Sequence, residues 1–446
     1  MTIVHTTPTP SVDTPMPQAN DSISTERMTN MPLCERPFTE ANVASLVGSV
    51  DMARIAAVAD RAEALAHELR MRVMAPEVRK VSPHLTVKQA LRLCGLDATA
   101  ERGLRQLTGP SAQRPVRVTV AQARNSARVQ RPQFLRPPER QAITIAVANF
   151  KGGVCKTTTA MTLAQGLSLR GHNVLAIDLD PQGSLTTLFG LLPQTEVPED
   201  KTALPLLRGE CDAIDHVIRP TYWDGIDLVP AAPTLFAAEF AIPNQLGQST
   251  GTNFWSVLGR GLTGVRTSYD VIVIDTPPAL SYLTINALMA ADGVVVPVPP
   301  TALDFSSLVH FWQLFADFRN NADFARDGGK TFAFVKVLLS RVDQSDVAAP
   351  AVRQWIKAAY SDFLLPVEVP KSTVASALAA SFGTAFDIEA YEGSAATYRR
   401  IINAYSKVID LVEEAMVEAW QSGQPSAGVE TRFPNAVDAG AAVQSR

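Results

Sequence analysis

The sequence lacks the features that take a chain into a membrane or staple it covalently. No stretch reaches the eighteen or so consecutive apolar residues that a membrane helix needs. The four cysteines (Cys34, Cys94, Cys155, Cys211) are scattered and none makes a Cys-x-x-Cys pair. That spacing excludes a zinc or iron–sulfur signature and a disulfide framework. The first residues, MTIVHTTPTPSVDTPMPQ, have neither a basic start nor an apolar core, so no secretory leader is expected. The last, PNAVDAGAAVQSR, cannot form a basic amphipathic helix, so no surface anchor is expected either. A reduced cytoplasm is the expected setting.

What is present is an ordinary soluble composition, 46% hydrophobic and 19% charged over 446 residues. That length has room for two or three domains. The net charge of -4 is unevenly spread. Residues 71–140 hold fourteen Lys/Arg against four Asp/Glu, a balance of +10, which leaves -14 for the rest. A basic segment on an acidic protein suggests a nucleic-acid contact. On charge alone a solvated basic linker fits equally well.

Residues 1–35 are polar, Pro-rich and non-periodic, and are expected to be a disordered tail. Within 36–76 the pattern turns helical: Val43, Leu46, Val47, Ile55, Val58, Ala62, Leu65, Leu69 and Val73 recur at helical spacing until Pro76. Such a helix either packs on its own domain or pairs with a second copy. Within 77–130, LTVKQALRLCGLDATAERGLRQL suggests a helix-turn-helix. Thr86 caps a helix bearing Val87, Ala90, Leu91 and Cys94, Gly95 makes the turn, and a second helix runs from about Ala98 to Leu107. Glu101 sits where that motif usually turns an apolar residue inward, so an ordinary small helical domain is the competing reading. Arg102 and Arg105 on the second helix are the candidate DNA contacts. The stretch 114–129 alternates briefly and then becomes helical, enough for a small wing and a further helix. Residues 131–141, rich in Pro and Arg, read as a stiff linker.

From 142 to 420 the character changes. ITIAVANF (143–150), VLAIDLD (174–180), YDVIVIDTPP (269–278), GVVVPVPP (293–300) and TFAFVKVLLS (331–340) are continuous apolar runs with helical stretches between them. Strands covered on both faces look like this. The expected fold is α/β, a doubly wound, mostly parallel sheet behind an N-terminal all-α helix-turn-helix domain. Residues 421–446 are expected to be a disordered tail.

The first of these strands runs directly into Lys151-Gly152-Gly153-Val154-Cys155-Lys156-Thr157-Thr158 and then a helix. Strand, glycine loop and helix together make a phosphate cradle. Gly152 and Gly153 admit close backbone approach, and successive N–H groups and the helix N-terminus face the anion. Lys156 can reach the β- and γ-phosphates, and Thr157 can bind Mg²⁺. Asp178 and Asp180 stand at the carboxyl end of the second strand, suited to a magnesium site and to orienting water. Asp275, after four apolar strand residues, fits a Walker B aspartate, with Pro277 and Pro278 forming a switch loop.

The loop departs from the common GxxxxGK[ST] pattern at Phe150 and Cys155 and carries a second lysine, Lys151. It resembles the deviant Walker A signature KGGxGK[ST]. With the DLDPQ strand and IDTPP in order, residues from about 143 to 411 resemble the ParA family of partition ATPases, within the ParA/MinD superfamily. RPTYWDGIDLVPAAPTL (219–235) and VEVPKSTVASALAASFGT (367–384) strengthen the likeness. The N-terminal addition resembles the larger plasmid-type members, which also repress their own operon. The resemblance implies ATP and Mg²⁺ as ligands, with Lys151 as signature lysine, Lys156 as P-loop lysine, Thr157 as metal ligand, Asp180 supporting water activation with Asp178 beside it, and Asp275 as Walker B. It implies an ATP-bound homodimer in which each Lys151 serves the opposite subunit, in the manner of an arginine finger. It also implies non-specific DNA binding near the C-terminal helices, with Lys371, Arg399, Arg400 and Lys407 as candidates. Operator DNA is the expected ligand of the N-terminal domain. A ParB-type centromere-binding protein is the implied partner, and the nucleoid the implied location, with no membrane. A repressor with a weak nucleotide pocket is the alternative that Cys155 keeps open. A MinD-type membrane regulator lacks its C-terminal helix here, and a nitrogenase-reductase-like carrier lacks its cysteines. A metabolite ligase on the same fold would leave the basic domain unexplained.

Overall fold

The computed structural model describes residues 51–73, 80–107, 116–246, 254–320, 330–380, 382–389 and 393–423. The chain divides into two units at Glu68 and Leu69. The described part of the first lies in helix α1 (Met52–Val73), where Ile55, Val58 and Leu65 are exposed. The expected apolar positions Val43, Leu46 and Val47, and the expected tail 1–35, lie outside the described residues. So do 424–446 of the C-terminal one.

The second unit begins with a small module: β1 (His84–Thr86), α2 (Val87–Leu93), α3 (Ala100–Gln106), β2 (Arg117–Thr119) and α4 (Val120–Gln130). It is built from a repeat. Leu85-Thr-Val-Lys-Gln-Ala90 and Val118-Thr-Val-Ala-Gln-Ala123 each run from a strand into a helix. In both, the threonine hydroxyl accepts from the glutamine N–H three residues on, and the glutamine side chain accepts from the threonine N–H. Such a reciprocal cap stabilises a helix start by about 1 kcal/mol. β1 and β2 pair antiparallel with Leu85 opposite Val118, so the module is mixed α and β rather than all-α. Gly95, at φ +62, makes the expected turn. α3 buries Ala100 and Leu104, which leaves Glu101 half-exposed in an ion pair with Arg105 at 2.6 Å. The acid that argued against the motif therefore faces away from the core.

Behind the module lies one sheet: β3 (Ile143–Val147), β4 (Val174–Asp178), β5 (Arg219–Pro220), β6 (Ile226–Val229), β7 (Val271–Asp275), β8 (Gly293–Val298), β9 (Phe334–Val342) and β10 (Leu364–Pro370). Its order is β10-β9-β8-β3-β7-β4-β6-β5, parallel throughout except β5 against β6. Around it stand α5 (Lys156–Leu169), α6 (Ser184–Leu188), α7 (Tyr282–Ala290), α8 (Ala302–Asn320), α9 (Ala349–Tyr360), α10 (Thr373–Ala380) and α11 (Ala395–Ser422). Strand alternation divides the core in two. Ile143, Ile145 and Val147 pack with α5 and α11, whereas Ala146 and Ala148 pack with α7, α8 and α9. This is the doubly wound α/β arrangement expected.

Helix α5 is buried along almost its whole length. At Gly166 it meets α11 so closely that a Cβ would lie 2.0 Å from Ile409 Cδ1. Its C-terminal carbonyls cannot reach water and need donors. The backbone N–H groups of Arg170, Gly171 and His172 serve Gly166, Leu167 and Ser168, and three arginines along and just past α4 serve Ser168 and the turn beyond it. Arg124 donates to the Ser168 and His172 carbonyls, each at 3.0 Å, Arg128 to that of Gly171, and Arg131 to that of Arg170 at 3.2 Å. Cations at the negative end of a helix dipole are favourable as well. Arg131 also pairs with buried Glu413 at 2.5 Å, and Glu413 meets His172 Nε2 at 2.9 Å.

The strap 131–141, expected as a stiff linker, is therefore pinned. Arg131 lies over the Phe134 ring at 4.4 Å, Arg136 pairs with Asp270 at 3.2 Å, and Trp420 donates to the Gln141 carbonyl at 3.0 Å. Among the described residues, six cations of 71–140 pair with acids beyond residue 140: Lys80, Arg117, Arg124, Arg128, Arg131 and Arg136. Much of the basic balance read from sequence is thus neutralised inside the fold. Replacing Glu413 by Ala leaves Arg131 and His172 buried without their acid. Urea unfolding should show a loss of about 3–5 kcal/mol, and an unchanged midpoint would mean that the cluster contributes little.

Candidate nucleotide site

Three adjacent strand ends build the site. Val147 of β3 pairs with Asp275 of β7, and Asp275 pairs with Asp178 of β4. Ligands bind at carboxyl ends of this kind in open α/β sheets. The loop after β3 is tied at its start by Asn149, whose side chain accepts from Lys151 N–H at 3.1 Å and donates to the Pro297 carbonyl at 2.9 Å. The loop ends at Cys155, left-handed at φ 73 and ψ 31, immediately before α5. Gly152, Gly153, Cys155, Lys156, Thr157 and Thr158 line a cavity of about 550 Å³, with Asp180 and Pro278 on its wall. Val154, the remaining loop residue, is buried. Val374, Leu378, Ile401 and Tyr405 give the far end of the cavity an apolar lining.

Charges are crowded here. Asp275 is fully buried and neither carboxylate oxygen has a hydrogen-bond partner. Burial and then the Asp178 charge push its carboxyl well above the usual range, with the Thr157 hydroxyl and the Lys156 ammonium opposing the shift. Lys156 is pushed down by burial, against the pull of Asp275 and Asp180. Its ammonium rests on the Lys151 carbonyl at 2.9 Å. Asp180 is raised by burial, and its Oδ1 accepts from Gln182 N–H at 2.9 Å. Cys155 is raised by burial too, with the Arg341 charge opposing.

Asp178, expected in the magnesium site, is engaged by hydrogen bonds within its own turn. One oxygen accepts from both the N–H and the hydroxyl of Thr186, at 2.8 and 2.7 Å, and the other from Asp180 N–H at 3.1 Å. Those bonds fold the turn after β4 back on itself and hold Asp180 at the cavity. Asp178 positions that turn.

Residues 142–325 match the AAA domain family. A Rhizobium rhizogenes chain provisionally named replication protein A is 35% identical over 64% of this chain and 71% of that one. Protein SopA of Escherichia coli is 30% identical over 65% of this chain and 77% of its own. The chain belongs to the ParA/SopA-type family of partition ATPases. A solved structure described as a partition protein has the same fold, with a TM-score of 0.54 at 19% identity, covering 82% of this chain and 99% of that one. That share exceeds what residues 142–420 alone make up. Among the described residues no helix is long and apolar enough to cross a membrane.

In this partition ATPase the second loop lysine has a partner that sequence did not suggest. Lys151 Nζ lies 2.6 Å from Asp304 at the start of α8, and Thr301 donates to Asp304 at 2.5 Å. Ser340 and Arg341 at the end of β9 are further residues that reach the loop, bonding its Val154 and Gly153 carbonyls. No local signal marks them, because each acts across the sheet.

The expected DNA contacts fall in two groups, Lys371 with the α11 residues Arg399, Arg400 and Lys407, and Arg102 with Arg105 on α3. Lys371 pairs with Asp343 at 2.9 Å and lines, with Arg400, a second cavity of about 360 Å³. Arg399 and Lys407 are exposed on α11, and Arg102 is exposed on α3.

The buried acids predict a pH dependence. Asp178 is pushed up to about 7, chiefly by burial, from 3.8 for a free aspartate. The folded chain thus holds that proton more tightly than the unfolded one. The group's contribution to stability is complete below about 3.8 and is lost as pH rises through about 7. Between those values the nucleotide-free protein should lose up to about 1.4 kcal/mol per pH unit from this group. Asp178→Asn should flatten the slope of urea stability against pH. Parallel slopes for variant and wild type would refute the assignment.

Proposed function

We propose that this ATPase is an ATP-gated DNA-partition switch that also represses its own operon. The observation that carries the nucleotide part is Asp275: a fully buried carboxylate with two unpartnered oxygens, next to Lys156 and Thr157 where the first strand meets its helix. A carboxylate so placed is costly unless a cation joins it. Thr157 and Asp275 are the residues that would hold Mg²⁺. Gly152 to Thr158 would hold the phosphates, and Val374, Leu378, Ile401 and Tyr405 would cover the apolar part of the nucleotide. Bound Mg²⁺ supplies neutralisation of phosphate charge and polarises the reacting phosphoryl group. Asp180, raised by burial and facing the cavity, is suited to hold an attacking water by its free oxygen.

ATP favours a homodimer in which Lys151 leaves Asp304 and reaches the phosphates of the opposite subunit, stabilising charge as the phosphoryl group departs. The dimer binds DNA non-specifically, mainly through phosphate contacts by Lys371, Arg399, Arg400 and Lys407. A ParB-type centromere-binding protein stimulates hydrolysis and releases the DNA, so that the protein cycles on and off the nucleoid. The module at 84–130 is a helix-turn-helix that binds operator DNA, with Arg102 and Arg105 on its second helix.

The test is turnover of ATP with Mg²⁺, DNA and the centromere-binding protein present. Lys156→Ala should lower the rate at least about a hundredfold, since it removes charge stabilisation in the transition state. Rates indistinguishable from wild type would favour a repressor with an idle pocket. Lys151→Ala should still bind ATP but fail to dimerise by light scattering. DNA retention should require ATP and fall with salt, and retention that ignores nucleotide would remove the gate.

A further inference from the structure

Three features converge at the carboxyl end of β9. The first is a slip in its pairing with β10. Leu339 lies opposite Glu368 and Val342 opposite Pro370, so three steps on one strand answer two on the other. That is a β-bulge, a device that re-aims side chains beside active sites. The second is Arg341 itself, at φ 50, in the left-handed region that residues with a Cβ rarely enter. The third is what the bulge touches. Ser340 Oγ donates to the Val154 carbonyl at 3.0 Å, and Arg341 Nη1 donates to the Gly153 carbonyl at 2.9 Å. Neighbouring side chains of a regular strand point to opposite faces. The bulge and the positive φ bring both of these to one loop.

A phosphate cradle turns its N–H groups inward, so its carbonyls turn outward and need donors. Here Cys155 O accepts from Thr159 N–H at 2.9 Å, as part of α5, and Lys151 O accepts from Lys156 Nζ at 2.9 Å. The hold on Lys151 O is lost when the Lys156 ammonium turns to phosphate. The holds on Gly153 and Val154 come from outside the loop and remain. Cys155 makes the loop more demanding. It is left-handed at φ 73 with a Cβ, where a glycine would be unstrained.

We infer that the Ser340–Arg341 bulge is a positioning device for the phosphate loop, and that Arg341 holds the loop in its binding shape against the strain at Cys155. The inference rests on ATP being the ligand of that loop. Arg341 is exposed, so its replacement opens no core.

The test compares wild type, Arg341→Ala, Arg341→Lys, Cys155→Gly and the double variant Arg341→Ala with Cys155→Gly. The dissociation constant of a fluorescent ATP analogue with Mg²⁺ is one readout. Amide hydrogen exchange over residues 151–155 without nucleotide is the other. Arg341→Ala should weaken binding about tenfold, the scale of one charge-assisted hydrogen bond, and should speed exchange in the loop. Arg341→Lys should recover part of both effects. In the Cys155→Gly background the loss should shrink below about threefold, because less strain needs opposing. Binding within about twofold of wild type together with unchanged exchange overturns the inference, as does an equal loss in both backgrounds. If the wild type itself binds no analogue, the ATP function fails instead, and the exchange data alone still decide whether Arg341 holds the loop.

Discussion

A helix covered on every side has nowhere to leave an unpaired end. α5 is such a helix, and the rest of the molecule answers that constraint. Its N-terminal N–H groups open onto the cavity, where an anion can complete them. At its C-terminal end Arg124 reaches the Ser168 carbonyl, and Arg124, Arg128 and Arg131 complete those of His172, Gly171 and Arg170 just beyond. The same element thus ends in the phosphate loop on one side and in the small β–α module on the other. α11 closes the third side at Gly166 and returns Glu413 to the arginine cluster. The module is consequently part of one body with the sheet rather than an appendage on a tether.

The second constraint is electrostatic. Parallel strands bring their carboxyl ends side by side, so Asp178 and Asp275 become fully buried neighbours. The structure manages this in two ways. Asp178 is bound up by Thr186 and the backbone of Asp180, and Asp275 is left open. Lys156 offsets part of the charge but is itself pushed down by burial. Asp275 as it stands therefore lacks a full counter-charge, which the Mg²⁺ that accompanies a triphosphate would supply beside it.

How much of this could be read from sequence follows from how local each determinant is. The strands β3, β4, β7, β8 and β9 were legible because both their faces are covered, which requires continuous apolar runs. β10 was not: it is an edge strand with Pro366, Glu368 and Pro370, and among the described residues no further strand pairs with its outer edge. β5 and β6 are too short to leave a pattern. The phosphate loop and Asp275 were legible because strand, glycines and helix are contiguous. The Thr86 cap is legible from its threonine and glutamine, and the same six-residue pattern recurs at Thr119. The Thr186 partner of Asp178 was not legible, because it lies beyond a turn whose path sequence does not reveal. Asp304 and Arg341 left no trace, since they reach the loop only through the order of the strands, Arg341 from 188 residues away.

The pairing of six module cations with acids of the main body has a consequence for reach. A charge with a counter-charge a few ångströms away contributes almost nothing to the potential a Debye length, about 8 Å, from the surface. A polyanion approaching the module feels a far weaker pull than the sequence balance suggests. It gains only when it comes within touching distance of the outward groups Lys88, Arg92 and Arg102. Any polyanion bound at the module would therefore be held by contacts at close range rather than by a long-range field.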